Sequence, residues 1–248
     1  MVERSGGGDP ARTVELLWRT RPVAGRGRKP KVTVDQIITA AVAAADADGL
    51  GAMSMARVAA DLGLGTMSLY THVPGKAELI DLMVDAVLRE RDLRPADGDW
   101  RAQVELYARR TREVYRRHPW LRDVSMVRPP LGPGLLAGEE FLLAALSGIG
   151  LEPRQVVAAM GAIMTFVDGA VAAEVDTAQL ERATGESTDA WWAARQLFWD
   201  EYFDVTRYPA MTSVWERGGF DLSTGEQSEN AFEFGLRRLL DGIEGGVR

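Results

Sequence analysis

The sequence predicts an all-α fold in two parts, and three observations carry that prediction. Apolar residues recur at helical spacing along most of the chain, Gly and Pro interrupt these stripes at short intervals, and no alternating run is long enough to force a strand. With 248 residues the chain is long enough to bury a core without staples, as one large domain or two modest ones. A hydrophobic share of 46% with 26% charged residues excludes a wholly disordered chain. There is no cysteine, which excludes disulfides, thiolate metal sites and a cysteine nucleophile. The polar, Gly-rich start lacks the apolar core of a signal peptide, so the expectation is a soluble, cytoplasmic protein.

Residues 1–32 read as a flexible basic extension. Gly6-Gly7-Gly8 and Gly25-Arg26-Gly27 break the chain, while Val14, Leu16, Leu17 and Trp18 suit one or two docked helical turns. Thr33 then caps a helix whose Val34, Ile37, Ile38, Ala41, Val42 and Ala45 form an amphipathic stripe ending at Asp48-Gly49. Ser54 caps a second helix with Met55, Val58, Ala59 and Leu62 on one face, stopped by Gly63. A third short helix covers about Thr66 to His72. A fourth starts near Lys76 after Pro74-Gly75, with Leu79, Leu82, Met83, Ala86 and Val87 inward. Pro95 to Gly98 marks the expected domain boundary, giving 33–95 and 96–248 as the two folded parts. Beyond it the helical candidates are Trp100–Arg117, Leu135–Ser147, Arg154–Glu174, Thr188–Thr206 and Ser228–Ile243.

Val156 to Ala173 has a single charge, Asp168, and approaches the length of a membrane span. It is rich in Ala and Gly, is flanked by acids, and carries a charge costly in lipid, so it reads as a core or interface helix of a soluble protein.

Charge is unevenly spread. Residues 1–31 sum to +5, residues 32–95 to −4 and residues 96–248 to −8. A basic arm on an acidic protein suits a polyanionic partner, and a solvated tail is the bland alternative.

The informative stretch is Ser54 to Lys76. Two short helices joined by Leu62-Gly63-Leu64-Gly65 form a helix-turn-helix candidate, in which one helix braces and the next offers side chains to the major groove. Thr66, Met67, Ser68, Tyr70, Thr71 and His72 fall on the DNA side, and hydroxyls, an imidazole and Lys76 suit phosphate. A generic helical hairpin gives the same spacing.

The residues Asp48-Gly49, Val58-Ala59, Leu62-Gly63-Leu64 and Leu69-Tyr70-Thr71-His72-Val73-Pro74-Gly75-Lys76 closely resemble the DNA-binding domain of TetR-family transcriptional repressors. The resemblance covers about residues 33–88. It implies that Tyr70, His72 and Lys76 grip phosphates, that Thr66, Met67 and Ser68 lie at base edges, and that Arg57, on the helix capped by Ser54, touches the backbone. The reading face departs from strong direct readout, because it offers no bidentate Arg, Asn or Gln. Residues 97–245 resemble the tetracycline-repressor branch, with His118-Pro119-Trp120-Leu121 and Leu131-Gly132-Pro133 as supporting details. This implies a C-terminal domain that binds a small effector and dimerises through a four-helix bundle, formed by the 154–174 and 228–243 helices.

The expected function is a ligand-responsive repressor: a homodimer on a pseudo-palindromic DNA operator, released by a hydrophobic small molecule, without membrane, metal or cofactor. Pocket candidates are Tyr107, Trp120, Phe141, Met160, Met164, Trp192 and Trp199, for each of which plain core is the commoner reading, with Asp168 as an orienting acid or a bundle ion pair. His118 reads as a helix C-terminal cap, which disfavours a metal–tetracycline effector. No phosphate loop, nucleophile elbow or dinucleotide fingerprint points to an enzyme. Two other readings are an α-helical enzyme or carrier for a hydrophobic molecule and a ligand-independent architectural protein; neither accounts for both the head and the aromatic C-terminal half. Arg26 and Arg28 in Arg26-Gly27-Arg28-Lys29-Pro30-Lys31 resemble a minor-groove hook, with a nonspecific basic tail as the alternative.

Overall fold

The computed structural model describes residues 3–19, 32–95 and 97–246. It is all-α apart from one two-residue strand pair. In order the elements are β1 (Glu3–Arg4), α1 (Pro10–Trp18), α2 (Val34–Asp48), α3 (Met55–Asp61), α4 (Thr66–Tyr70), α5 (Lys76–Arg89) and α6 (Trp100–Arg117). A 3-10 turn (Pro119–Asp123), β2 (Val124–Ser125), α7 (Pro133–Ser147), α8 (Pro153–Thr184) and α9 (Thr188–Ala193) follow. A π turn (Phe198–Tyr202), α10 (Pro209–Trp215) and α11 (Thr224–Gly245) complete the order. The chain falls into two compact units that divide within α8, between Val167 and Asp168, and not at the Pro95–Gly98 break.

In the first unit α2 to α5 form the head. Thr33 and Gln36 make a full capping box at the start of α2, each side chain bonding the other's backbone N–H. Ile37, Ile38, Ala41 and Ala45 from α2 bury against Met55, Val58, Ala59, Leu69, Leu79 and Met83 in one continuous core. The turn after α3 closes when the Leu64 N–H donates to the Ala59 carbonyl (2.8 Å), a Schellman geometry that needs a left-handed residue. Gly63 supplies it at φ +66°.

Residues 3–19 are not a flexible extension. They fold back across the head as a strap. β1 pairs in parallel with β2, Glu3 opposite Val124 and Arg4 opposite Ser125. Asp9 caps α1 by accepting from the Arg12 N–H (2.8 Å), and Pro10 occupies the first helical position. The physical reason is burial, because Leu17 is only 2% exposed within the head core. The apolar patch at 14–18 therefore docks through Leu17, with Leu16 packed beside it, while Val14 and Trp18 stay exposed. Arg26 and Arg28 lie outside the described residues; Leu17 before them and Val32 after them are both buried.

The head continues into the rest of the unit through α5. Asp85, at 1% exposure, accepts at Oδ1 from the Gly134 N–H (2.7 Å) and the Leu135 N–H (3.2 Å), the first turn of α7. Glycine is required there: a Cβ on Gly134 would stand 2.2 Å from the Asp85 carbonyl oxygen. The buried Arg91 donates to the carbonyls of Leu88 (2.9 Å) and Gly134 (2.8 Å), and lies over the Tyr107 ring of α6. His118 is the C-cap residue of α6, and its buried ring bridges Asp46 on α2 (2.8 Å) and Glu90 after α5 (3.1 Å).

α8 is longer than its apolar run suggests, because Ala, Glu, Gln and Leu carry it on to Thr184, just before Gly185. It is the helix, among the described residues, whose length and composition would suit a membrane span. It buries a single stripe, Val156, Ala159, Ile163, Val167, Val171 and Val175, while Val157, Ala158, Gly161, Ala162 and Gly169 are exposed.

In the second unit the expected 188–206 helix stops at Ala193 and resumes as the π turn, where Phe198, Trp199 and Phe203 crowd one another. α11 starts earlier than predicted. Ser223 and Glu226 form a capping box there, a Ser-x-x-Glu signal visible in the sequence. Phe232, Leu236 and Leu240 are its buried stripe.

Candidate DNA-reading head and effector domain

The short α4 presents its sides unequally. Leu69 is fully buried and pins the helix to the head core. Met67 is 79% exposed, and Ser68, Tyr70 and Thr71 are exposed with it, while Thr66 and His72 are half-buried. The Thr71 hydroxyl donates to the Ser68 carbonyl (2.7 Å), which fixes the end of the helix. Ser54 spends its hydroxyl as the α3 cap, accepting from the Arg57 N–H (3.2 Å). All the described residues that the sequence placed on the DNA side thus belong to one head, between the start of α3 and the start of α5.

Two of the cations are already engaged. Arg57 donates from Nε to both oxygens of Asp61 (2.9 and 3.1 Å) and from Nη1 to Asp48 (3.2 Å). These hydrogen bonds and charges raise the Arg57 pKa above its ordinary value. Lys76 Nζ lies 2.8 Å from Glu3 Oε1. Sequence spacing allows the Arg57–Asp61 pair, one helical turn apart, but could not show the second, since Glu3 and Lys76 are 73 residues apart. The same holds for Asp85, Asp46 and Glu90, which tie the head to α6 and α7.

The effector-side candidates divide between the two units. Tyr107 is buried, and its hydroxyl accepts from Arg91 (3.4 Å). Trp120 donates its indole N–H to Asp46 (2.7 Å) and packs in the core shared with the head. Phe141, Met160 and Met164 are half-buried. In the second unit Trp192 and Trp199 come together with ring centroids 6.2 Å apart, within an aromatic chain that includes Trp191, Phe203 and Tyr208. Asp168 is exposed on α8.

A capped brace helix, a Gly-closed turn, an exposed short helix and a following helix tied into an all-α body define a helix-turn-helix DNA-binding regulator. Residues 94–247 match the family described as tetracyclin repressor-like, C-terminal domain. The HTH-type transcriptional repressor DrrR1 of Streptomyces coeruleorubidus is 45% identical over 98% of this chain and 88% of its own length. The crystal structure of apo ActR from Streptomyces coelicolor is 31% identical, covers 89% of this chain and 98% of its own, and gives a TM-score of 0.70. ActR in complex with actinorhodin gives 29%, the same coverage and a TM-score of 0.72. The chain belongs to the TetR family of helix-turn-helix transcriptional repressors.

Proposed function

We propose that this chain is a ligand-responsive repressor: a cytoplasmic homodimer that leaves a pseudo-palindromic operator when a hydrophobic small molecule binds within residues 96–248. Residues 33–95 act as the reading head. The observation that carries the ligand-responsive part is the Asp85 tie, which joins the head's last helix to the N-terminus of α7. A displacement of α7 by ligand pulls α5, and with it α4. Two heads must match half-sites one helical turn apart, roughly 34–36 Å, so a small change of spacing suffices to lose the operator. The name of DrrR1 and the actinorhodin complex of ActR support this reading. The exposed small-residue face of α8 suits the dimer bundle.

Thr66, Met67 and Ser68 contact bases in this proposal, and Tyr70, His72 and Lys76 contact phosphates. Arg26 and Arg28 read an A·T-rich minor groove beside the half-sites, which Arg26→Gln with Arg28→Gln tests without disturbing the strap. The deciding experiment selects duplexes from a random pool, then challenges the selected duplex with aromatic small molecules, actinorhodin first. Enrichment of a two-fold symmetric site and its release by ligand are expected. Recovery of unenriched DNA would overturn the operator reading, and an enriched site that no ligand releases would overturn the ligand-responsive part.

A further inference from the structure

Lys76 opens α5, and its side chain is about one-third exposed to solvent. Its partner, Glu3, is positioned by the fold. The backbone of Glu3 pairs with Val124 in β2. Two residues on, the buried Ser5 hydroxyl donates to Asp81 Oδ1 (2.6 Å), and the Gly6 N–H donates to the same oxygen (2.9 Å). Asp81 is fully buried on α5. The Asp9 N–H then donates to Glu78 (3.2 Å), and the Trp18 indole donates to the Leu131 carbonyl (2.8 Å). The backbone that carries Glu3 to Lys76 is thus held from two sides, by β2 and by α5.

We propose that Glu3 is a built-in phosphate mimic, held on Lys76 by the strap and displaced when operator DNA takes that ammonium. The inference rests on the operator-binding reading above and adds a competitor within the chain. One ammonium carries one charge, and a carboxylate beside an incoming phosphate repels it. Because the pair is exposed it is worth little in water, so Glu3 sets a threshold for DNA and does not block it. β2 follows the turn that leaves α6. A shift of Val124–Ser125 therefore carries Glu3 toward or away from Lys76, a second route from the C-terminal part to the reading head.

A double-mutant cycle on the full chain tests this, using the duplex that the wild type selects from a random pool. Glu3→Gln is expected to tighten binding about threefold with little change in salt dependence, because Lys76 meets the same phosphate in both complexes. Lys76→Gln is expected to cost at least about twofold more affinity in the Glu3→Gln background than in the wild type. Equal costs in both backgrounds, or weaker binding by Glu3→Gln, would overturn the mimic while leaving the operator reading intact. A wild type that selects no duplex would overturn both. Equal melting temperatures of the four proteins confirm that the strap stays docked; if Glu3→Gln loosens it, Glu3→Ala with Ser5 and Asp81 intact repeats the cycle with the same expected and overturning results.

Discussion

Asp85→Ala tests the tie between head and body most directly. The wild-type carboxylate is 1% exposed and serves four donors. Oδ1 takes the Gly134 and Leu135 N–H groups, and Oδ2 takes Arg89 Nε (3.1 Å) and Nη2 (2.8 Å). Alanine leaves two buried first-turn amides without this acceptor. Loss of a helix cap costs about 0.5–2 kcal/mol, and a hydrogen bond to a charged group is worth about 1.5–3 kcal/mol. Both amides share one oxygen, so the two bonds together are worth about 3 kcal/mol. Arg89 is half exposed, which limits its ion pair to less than about 1 kcal/mol. The expected loss for Asp85→Ala is therefore about 3–4 kcal/mol. Asp85→Asn keeps an acceptor at Oδ1 and is expected to lose about 1–2 kcal/mol. Urea denaturation followed by circular dichroism measures both, with an unchanged m-value as the sign of two-state unfolding. A loss under about 1 kcal/mol for the alanine variant would refute the reasoning, because the tie would then not bear on stability.

Three further outcomes are expected. Leu17→Ala removes a nearly fully buried strap anchor and should cost about 2–4 kcal/mol, with new proteolytic cleavage within residues 3–19; a stability unchanged from wild type would mean that the strap is not docked in solution. Burial raises the Asp81 pKa, against the hydrogen bonds from Ser5 and Gly6 that lower it, and the charge of Glu78 raises it further. A raised native pKa gives stability that is fully present below the ordinary Asp value and is lost as pH rises through the raised one. The wild type should therefore lose stability relative to Asp81→Asn across that window, and a pH-independent difference in melting temperature would contradict it. Met67→Gln lies on an exposed face and should leave the melting temperature unchanged while altering the preferred bases in a duplex selection; an unaltered preference would remove Met67 from the base edges.

The aromatic clustering of the second unit shows how far spacing reaches. Trp192 and Trp199 were both pocket candidates, and their ring centroids lie 6.2 Å apart. Trp120 was expected with them, yet its indole N–H is committed to Asp46 and its ring to the head-side core. Composition counts aromatics but does not say against which helix each one packs. His118, by contrast, was legible as the cap of α6 because His-Pro follows a helical stripe. Its bridging of Asp46 and Glu90 was not legible, since those acids come from α2 and from the end of α5, 72 and 28 residues away.

What the sequence by itself determined is the local part: the helices of the head, their caps at Thr33 and Ser54, the left-handed Gly63, and the face of α4 turned away from the core. These follow from interactions within about a turn or two of each residue, namely cap hydrogen bonds, apolar periodicity and glycine's freedom at positive φ. Only the tertiary structure decided that residues 3–19 form a strap, that Asp85 caps α7, and that Glu3 sits on Lys76. Each of those depends on partners 49 or more residues apart, brought together by packing against α5. A lone acid in a polar stretch carries no local mark of the group it will meet, because its partner is chosen by the burial of others: Leu17 docks, and Glu3 is carried to Lys76 with it.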